Sequence, residues 1–286
     1  MLLKQFSLAA ACLLTVYSTT CYAQKKAFSI KAIEEKMAKV NDSLYCSRFE
    51  TSNEEYKFFL NDLGTKDSAA YMKCLVDSAK WTTMKVVVYG EPYALNYFRH
   101  PAFGQYPVVN ITYDAAVEYC KWLTAIYNNT PKRKFKEVVY RLPSKEEWVF
   151  AAQGGKPGMR YPSGDYALMR KTGEYLYNFR RVDERFVEQD SLGNPVLDQN
   201  AMAYWFVSAG LRDMAFYTAN VRSFWPNGFD LYNMSGNVAE MINIKDQAMG
   251  GGWNSYGGEI TTTSIKRYNE PSPEIGFRIF MEIIER

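Results

Sequence analysis

The sequence predicts a single α+β domain with much irregular structure, and three observations support this. Capped, amphipathic helix patterns occur up to about Gln153. Beyond Gly154 the chain is rich in glycine, asparagine, proline and aromatic residues, with few long periodic runs, which indicates loops and short strands. The sequence contains neither an internal repeat nor a linker, so we expect one domain rather than two.

The helices are predicted from capping residues that precede apolar side chains at helical spacing. Ser29 is a candidate cap for the first helix, and Ser144 with Glu147 forms a capping box for the last. The apolar face of the first helix consists of Ile30, Ile33, Met37 and Val40. The predicted helices are residues 29–40, a segment beginning near Thr51, residues 114–128 and residues 143–153.

Two segments between these helices are rich in β-branched and aromatic residues, which favours extended structure. They are residues 84–89 and 107–113. The last third of the chain is expected to form loops and short strands that close on residues 276–283.

The composition excludes several classes of protein. With 47% hydrophobic and 23% charged residues the chain is an ordinary globular protein, not a disordered, collagen-like or coiled-coil one. The formal net charge of +3 is too balanced for a protein that binds nucleic acid through a basic face, so no nucleic-acid partner is expected. The single histidine, His100, excludes a His-based metal cluster and would have to serve any Ser-His-Asp triad.

Residues 1–23 have the pattern of a secretory signal peptide: a lysine, an apolar run, then small and polar residues. Cleavage after Ala23 would leave residues 24–286 as the mature domain, in the periplasm, cell envelope or extracellular space. The alternative is a lipoprotein acylated on Cys21, which would place the protein on a membrane. The three residues before Cys21 lack the apolar residue that lipoprotein processing usually requires, so we favour soluble export.

Three cysteines follow the predicted signal peptide, which leaves at least one free thiol. Cys120 shares a predicted helix face with Tyr119 and Leu123, so a buried structural thiol is expected there. A pair between Cys46 and Cys74 remains open at this point.

An ordered series of motifs runs through the chain. In order they are residues 49–56, 106–115 continuing into 119–123, 140–148 continuing into 151–155, 161–165, 225–240, 250–253 and 276–278. Together they resemble the formylglycine-generating, sulfatase-modifying factor family, and the resemblance covers about residue 46 to the end of the chain. It implies a single compact domain related in shape to C-type-lectin-like modules.

The resemblance also implies calcium as a cofactor. A side-chain amide, two backbone carbonyls and a carboxylate occur at Asn233, Gly236, Val238 and Glu240, and calcium takes about 6–8 oxygen ligands of these kinds. A second family site would fall on Asn178, the carbonyl of Phe179, Asp213 and the carbonyl of Ala215. The alternative is that Asn233 and Glu240 satisfy buried backbone groups in a tight turn.

This sequence differs from the family pattern at the catalytic positions. The resembled enzymes bind copper(I) with two cysteines that follow a Gly-Gly-x-Trp motif, and soft thiolates suit copper(I). In this sequence these positions fall on Ser255 and on or near Ile260, and no cysteine occurs after Cys120. We therefore expect no copper and no family catalytic residues. As a hydrolytic nucleophile, Ser255 would have no obvious base beyond His100.

The sequence thus predicts an exported, non-catalytic binding or scaffold protein on this fold. Ala239 and Met241 stand where the enzymes usually have tryptophans. The loss of these two large rings is a further difference from the expected catalytic site. The stretch 97–103 resembles exported family members of gliding and type IX-secreting bacteria, so an envelope, secretion- or gliding-associated role is expected. The alternative is a divergent oxidoreductase that acts on protein cysteine or has altered chemistry.

The expected partners are envelope proteins or a peptide or glycan ligand. An aromatic groove could recognise such a ligand, and its candidate rings are Trp205, Trp225, Trp253 and Tyr256. The competing interpretation is that most of these rings fill the core.

Overall fold

The computed structural model describes residues 29–84, 87, 90–164, 167–181, 187–189, 195–197 and 217–286. Helices and short strands alternate with long loops, which confirms the predicted α+β class. None of the helices in these ranges is long and apolar enough to cross a membrane.

The helices of the described residues lie mostly in the first half of the chain. They are α1 (Ile30–Lys36), α2 (Asn53–Lys66), α3 (Ser68–Lys73), α4 (Lys80–Thr83), α5 (Gly90–Asn96), α6 (Tyr113–Asn129) and α7 (Lys145–Ala152). Short 3₁₀ turns cover Pro101–Phe103 and Gly257–Glu259.

The strands are short and form separate sheets. They are β1 (Met37–Lys39), β2 (Leu44–Ser47), β3 (Glu137–Arg141), β4 (Val187–Gln189), β5 (Pro195–Leu197), β6 (Ala239–Met241), β7 (Gln247–Met249), β8 (Ile265–Arg267), β9 (Ile275–Gly276) and β10 (Phe280–Glu285). One four-stranded antiparallel sheet has the order β1-β2-β10-β3, and a second has the order β8-β7-β6-β9 with β6 and β9 parallel. Strands β4 and β5 form an antiparallel pair.

Helices α2 and α6 build the largest core cluster from aromatic side chains. Ser52 and Glu55 close a capping box at the start of α2, so the helix begins where the sequence predicts. The Tyr56 ring stacks on Tyr119 with centroids 6.0 Å apart, and Phe59 meets Trp122 at 5.3 Å. Helix α6 covers the predicted segment 114–128 with one further residue at each end.

The prediction of a helix through residues 29–40 is only half right. Ser29 caps α1 as expected, but the helix ends at Lys36 and Met37 begins strand β1. Met37 pairs with Ser47 on β2. Backbone groups that would have extended the helix therefore bond to this strand instead. Val40 is buried beyond the strand.

The two segments predicted to be extended do not join a described sheet. Of residues 84–89, only Met84 and Val87 are described, and neither lies in a strand; the others lie outside the described residues. Pro107 makes a single isolated bridge to Ser52, and residues 108–111 after it are irregular and buried. The exposed cap residue Thr112 then leads into α6 at Tyr113. Helix α5, which follows the first segment, was not predicted.

The three described cysteines are free and buried. Cys46 and Cys74 belong to different hydrophobic clusters, so the pairing left open by the sequence is not made. Burial raises the pKa of Cys120 to about 12 and that of Cys74 to about 11, so both stay protonated at neutral pH. The prediction of a structural thiol at Cys120 is confirmed.

Removal of the cap of α7 tests the local basis of this fold. Ser144 Oγ accepts from Glu147 N at 3.2 Å, and the Glu147 carboxylate accepts from Ser144 N at 2.8 Å. Ser144→Ala is expected to lower the free energy of unfolding by about 1 kcal/mol, measured by urea denaturation. The control is Ser68→Ala, at an exposed serine that makes no side-chain hydrogen bond within the described residues. Equal stability of the two variants would contradict the capping role.

Candidate functional site

The loop that carries the predicted calcium motif is a tight left-handed turn. Asn233, Gly236 and Asn237 all have positive φ, at 53°, 74° and 60°. A Cβ atom at Gly236 would lie 2.2 Å from the carbonyl oxygen of Asn178, so only glycine fits against that strand-like contact. The turn therefore brings Asn178, from the second predicted calcium site, directly against Gly236 of the first.

A buried glutamate from the other end of the chain lies under this turn. Glu50 is 1% exposed, and its two carboxylate oxygens accept from Asn233 Nδ2 at 2.9 Å and Asn237 Nδ2 at 2.7 Å. Burial raises the pKa of Glu50 to about 8. Asn237 Oδ1 accepts from the backbone of Ala219 at 2.6 Å, so the cluster also fixes a neighbouring loop.

Next to this cluster lies a fully buried ion pair between Arg278 and Glu240. Arg278 Nη2 donates to Glu240 Oε1 at 2.6 Å, and Arg278 Nε lies 3.0 Å from both carboxylate oxygens. The indole of Trp148 donates to Glu240 Oε2 at 2.8 Å. The remaining Arg278 donors reach the carbonyls of Ser47 at 2.8 Å and Tyr232 at 2.6 Å.

The first predicted calcium site fits a cation in one respect and resists it in another. Asn233 Oδ1 is buried without a hydrogen-bond partner among the described residues, as an unfilled metal ligand would be. Glu240 instead accepts two hydrogen bonds at each oxygen, which uses all four of its acceptor positions. Glu240 could bind a metal only by giving up one of these bonds. Calcium therefore stays a prediction.

The second predicted calcium site is only partly described. Asn178 Nδ2 donates to the carbonyl of Tyr217 at 2.7 Å and to Asn237 Oδ1 at 3.2 Å, and Phe179 is buried. Asp213 and Ala215 lie outside the described residues. Among the residues that are described, no three His, Cys, Asp or Glu side chains converge as metal ligands.

Ser255 and Ile260, the positions predicted to correspond to the family's cysteines, lie close together in space. A methyl group added at Gly251 would lie 2.9 Å from Ile260 Cγ2 and 3.1 Å from Ser255 Cβ. Ser255 is 4% exposed and its hydroxyl accepts from Gly252 N at 3.1 Å. Ile260 is fully buried in an apolar cluster. Both predicted positions thus lie beside Gly251, where a hydroxyl and an alkyl group are found.

His100 does not serve Ser255. Its Nδ1 accepts from Ala102 N at 3.2 Å at the start of the 3₁₀ turn, and the residue is exposed. The hydrogen bond described for the Ser255 hydroxyl is to backbone, so the parts of a hydrolytic triad are not assembled here.

The candidate aromatic rings do not form one described groove. Trp253 is buried, donates to the carbonyl of Pro273 at 3.0 Å and belongs to the core. Trp225 is 47% exposed and carries the Arg170 guanidinium 4.4 Å from its ring centroid. Tyr256 is half-buried, and Trp205 lies outside the described residues. The interpretation that these rings fill the core is confirmed for Trp253.

Sequence reasoning missed Glu50 and Arg278 as members of this centre. Both lie in motifs of the ordered series, which was the available signal. Their roles depend on partners 183 and 38 residues away, and residue spacing does not reveal such contacts.

This fold consists of small sheets and capped helices around a buried polar centre on irregular loops. It is the fold class of the formylglycine-generating proteins. The chain belongs to the family described as the sulfatase-modifying factor enzyme 1-like domain, whose family model matches residues 22–283.

Individual relatives are similar over part of their length. The formylglycine-generating enzyme of Thermomonospora curvata is 29% identical over 171 residues, which cover 60% of this chain and 41% of the relative. That of Bos taurus is 25% identical over 218 residues, which cover 70% of this chain and 48% of the relative. The chain thus spans about half the length of these relatives or less.

A solved structure supports the fold independently. The structure of PvdO from Pseudomonas aeruginosa matches with a TM-score of 0.51 and 19% identity, over 84% of this chain and 80% of that chain. At this level of identity the likeness concerns the fold and not the activity.

Removal of one charge from the buried ion pair tests its importance. Glu240→Gln leaves the buried guanidinium of Arg278 without its counter-charge, and we expect the free energy of unfolding to fall by about 3–5 kcal/mol. The measurement is chemical denaturation followed by tryptophan fluorescence.

The matched control is Asp42→Asn. The Lys39–Asp42 pair has a similar separation of 2.8 Å but is largely exposed, so the change is expected to leave the free energy of unfolding close to that of the wild-type protein. A loss under about 1 kcal/mol in Glu240→Gln would show that the fold does not depend on this pair.

Proposed function

We propose that this protein is an exported, non-catalytic binding or scaffold protein on the formylglycine-generating fold. The observation that carries the proposal is the pair Ser255 and Ile260, which occupies the place around Gly251 where the resembled enzymes have their cysteines. A hydroxyl and the sec-butyl side chain of isoleucine provide no thiolate for copper(I).

The surrounding residues support the same conclusion. Ile260 lies among the rings of Tyr161, Tyr177 and Phe179, so apolar packing fills the place of the second ligand. Ala239 and Met241, which replace tryptophans of the enzymes, are fully buried in the main core cluster. This part of the old catalytic region now serves packing.

The export of the protein rests on residues 1–23, whose charged start, apolar run and small residues before position 24 form the signal pattern. We place the protein in the periplasm, cell envelope or extracellular space, with envelope proteins or a peptide or glycan as partners. Acylation of Cys21 would anchor it to a membrane instead.

A divergent oxidoreductase is the second candidate function. It is favoured by the family membership and by the preserved closeness of the residue pair around Gly251. Such an enzyme would need a different ligand set or different chemistry at the site.

Copper(I) titration separates the two functions. In competition with a chromogenic copper(I) chelator, the wild-type protein is expected to bind no tight equivalent. The double variant Ser255→Cys with Ile260→Cys is expected to gain one equivalent, because the loop already brings these positions together.

Each single cysteine variant is the control, since one thiolate should bind copper(I) far more weakly than two. Circular dichroism confirms that the variants are folded. Tight binding of one equivalent by the wild-type protein, abolished in Ser255→Ala, would overturn the non-catalytic function and favour the oxidoreductase.

We also propose calcium as a structural ligand of the 233–240 loop. The residues that would hold it are Asn233 through its side-chain oxygen, Gly236 and Val238 through their carbonyls, and Glu240. The support is the buried, unpartnered Asn233 Oδ1. A cation there would give the Asn233 oxygen the partner that it lacks.

Chelation tests this calcium site. We expect removal of divalent metal to lower the melting temperature of the wild-type protein and added calcium to restore it, while Asn233→Ala shows no response. Asn254→Ala is the control, because its amide oxygen is also unpartnered but lies outside the motif. An unchanged melting temperature after confirmed metal removal would contradict the calcium site.

A further inference from the structure

A lysine, a glutamate and an asparagine meet at the second four-stranded sheet. Lys266 lies on β8 and Glu274 just before β9, and these are the two outer strands of that sheet. Asn254 follows Trp253 in the loop after β7. The Glu274 carboxylate accepts from Asn254 Nδ2 at 2.8 Å through Oε1 and from Lys266 Nζ through Oε2. One carboxylate thus binds an amine and a side-chain amide at the same time.

The backbone on both sides of this contact is fixed. Glu274 is 4% exposed, and its carbonyl accepts from Ala239 N at 2.8 Å. The indole of Trp253, the neighbour of Asn254, donates to the carbonyl of Pro273 at 3.0 Å. The carboxylate and the amide therefore meet in a defined geometry, and groups held in this way react with a smaller loss of entropy.

The amine and the amide are both partly withdrawn from water. The side chain of Lys266 is 30% exposed, and burial lowers its pKa, although the charge of Glu259 acts in the opposite direction. A lower pKa increases the fraction of neutral amine, which is the nucleophilic form of lysine. The amide oxygen of Asn254 is buried and has no hydrogen-bond partner among the described residues. Such an unpaired oxygen destabilises the amide in its present form.

We propose that Lys266 and Asn254 form an intramolecular isopeptide bond, with Glu274 as the general base and acid. The Glu274 carboxylate takes a proton from the Lys266 ammonium, and the neutral Nζ attacks Cγ of Asn254. The Nζ–Cγ bond forms and the Cγ–Nδ2 bond breaks. Glu274 gives its proton to Nδ2, which leaves as ammonia, and takes up the second proton that Nζ loses. That proton then passes to solvent, so the reaction consumes no oxidant and no cofactor.

The bond would tie the Trp253 loop to β8 in a protein whose three described cysteines are free. Like a disulfide, it would restrict the unfolded chain and so favour the folded one. The inference goes beyond the proposed function, because it concerns a covalent modification of the chain itself and holds whatever the chemistry at Ser255.

The test is mass spectrometry of the full chain after denaturation and proteolysis. Cleavage after Glu259 separates Asn254 from Lys266 unless a covalent bond joins them. We expect the two fragments to stay joined and to be lighter by one ammonia, about 17 Da, than the unmodified sequence. Trypsin should not cut after Lys266, because the amide removes its charge. Cyclisation of an N-terminal glutamine also releases ammonia, but it leaves these fragments separate.

Variants assign the bond to its residues. Lys266→Arg should give separate fragments of full mass, because a guanidinium keeps the ion pair with Glu274 but does not attack the amide. Glu274→Gln should reduce the joined fraction at least about tenfold. The control is Lys36→Arg, at a lysine with a 24% exposed side chain whose partner Glu55 accepts from Ser52, and it should stay joined. Circular dichroism confirms that each variant is folded.

Three outcomes would overturn the proposal. The first is separate fragments of full mass in the wild-type protein. The second is a loss of ammonia confined to an unjoined Asn254 fragment, which would indicate a succinimide at that residue. The third is a joined product in Lys266→Arg. The copper(I) result is independent of all of these, so the two proposals fail separately.

Discussion

The buried ion pair between Arg278 and Glu240 is the interaction on which the rest of the structure depends. Its two side chains are nearly inaccessible, at 0% and 1% exposure, and they join the two four-stranded sheets, because Glu240 lies on β6 and Arg278 lies between β9 and β10. Arg278 holds the end of β2 through Ser47 and the loop at Tyr232, while Glu240 on β6 holds α7 through Trp148. A buried charge without its partners costs much free energy, so these segments must all be packed around the ion pair in the folded protein.

This requirement explains how a chain with so little regular structure keeps a defined shape. Short strands leave many loop backbone groups without ladder partners, and polar side chains bind them instead. Asn237 accepts from the backbone of Ala219, and Asn227 Nδ2 donates to the carbonyls of Ala151 and Ala152 at 2.7 and 3.0 Å. The loops are thus fixed by side chains, and one of these, Asn237, is itself held by the carboxylate of Glu50.

Those features that local chemistry determines were predictable from the sequence. The capping boxes at Ser52 and Ser144 place two helices because the caps bind residues three positions away. The end of α1 was not predictable, since Met37 leaves the helix only because β2 offers a partner. The motif order located the position of Ser255, but the role of Glu50 appears only when its distant partners Asn233 and Asn237 are seen beside it.

The three buried thiols have a consequence for the covalent integrity of the protein. Thiol–disulfide exchange proceeds through the thiolate, and burial keeps Cys74 and Cys120 protonated and out of reach. The folded protein therefore shields these three thiols from exchange, whatever the redox potential of its surroundings. Cross-linking between copies through them requires unfolding, so the aromatic core around Cys120 also protects the molecule against covalent misassembly at these positions.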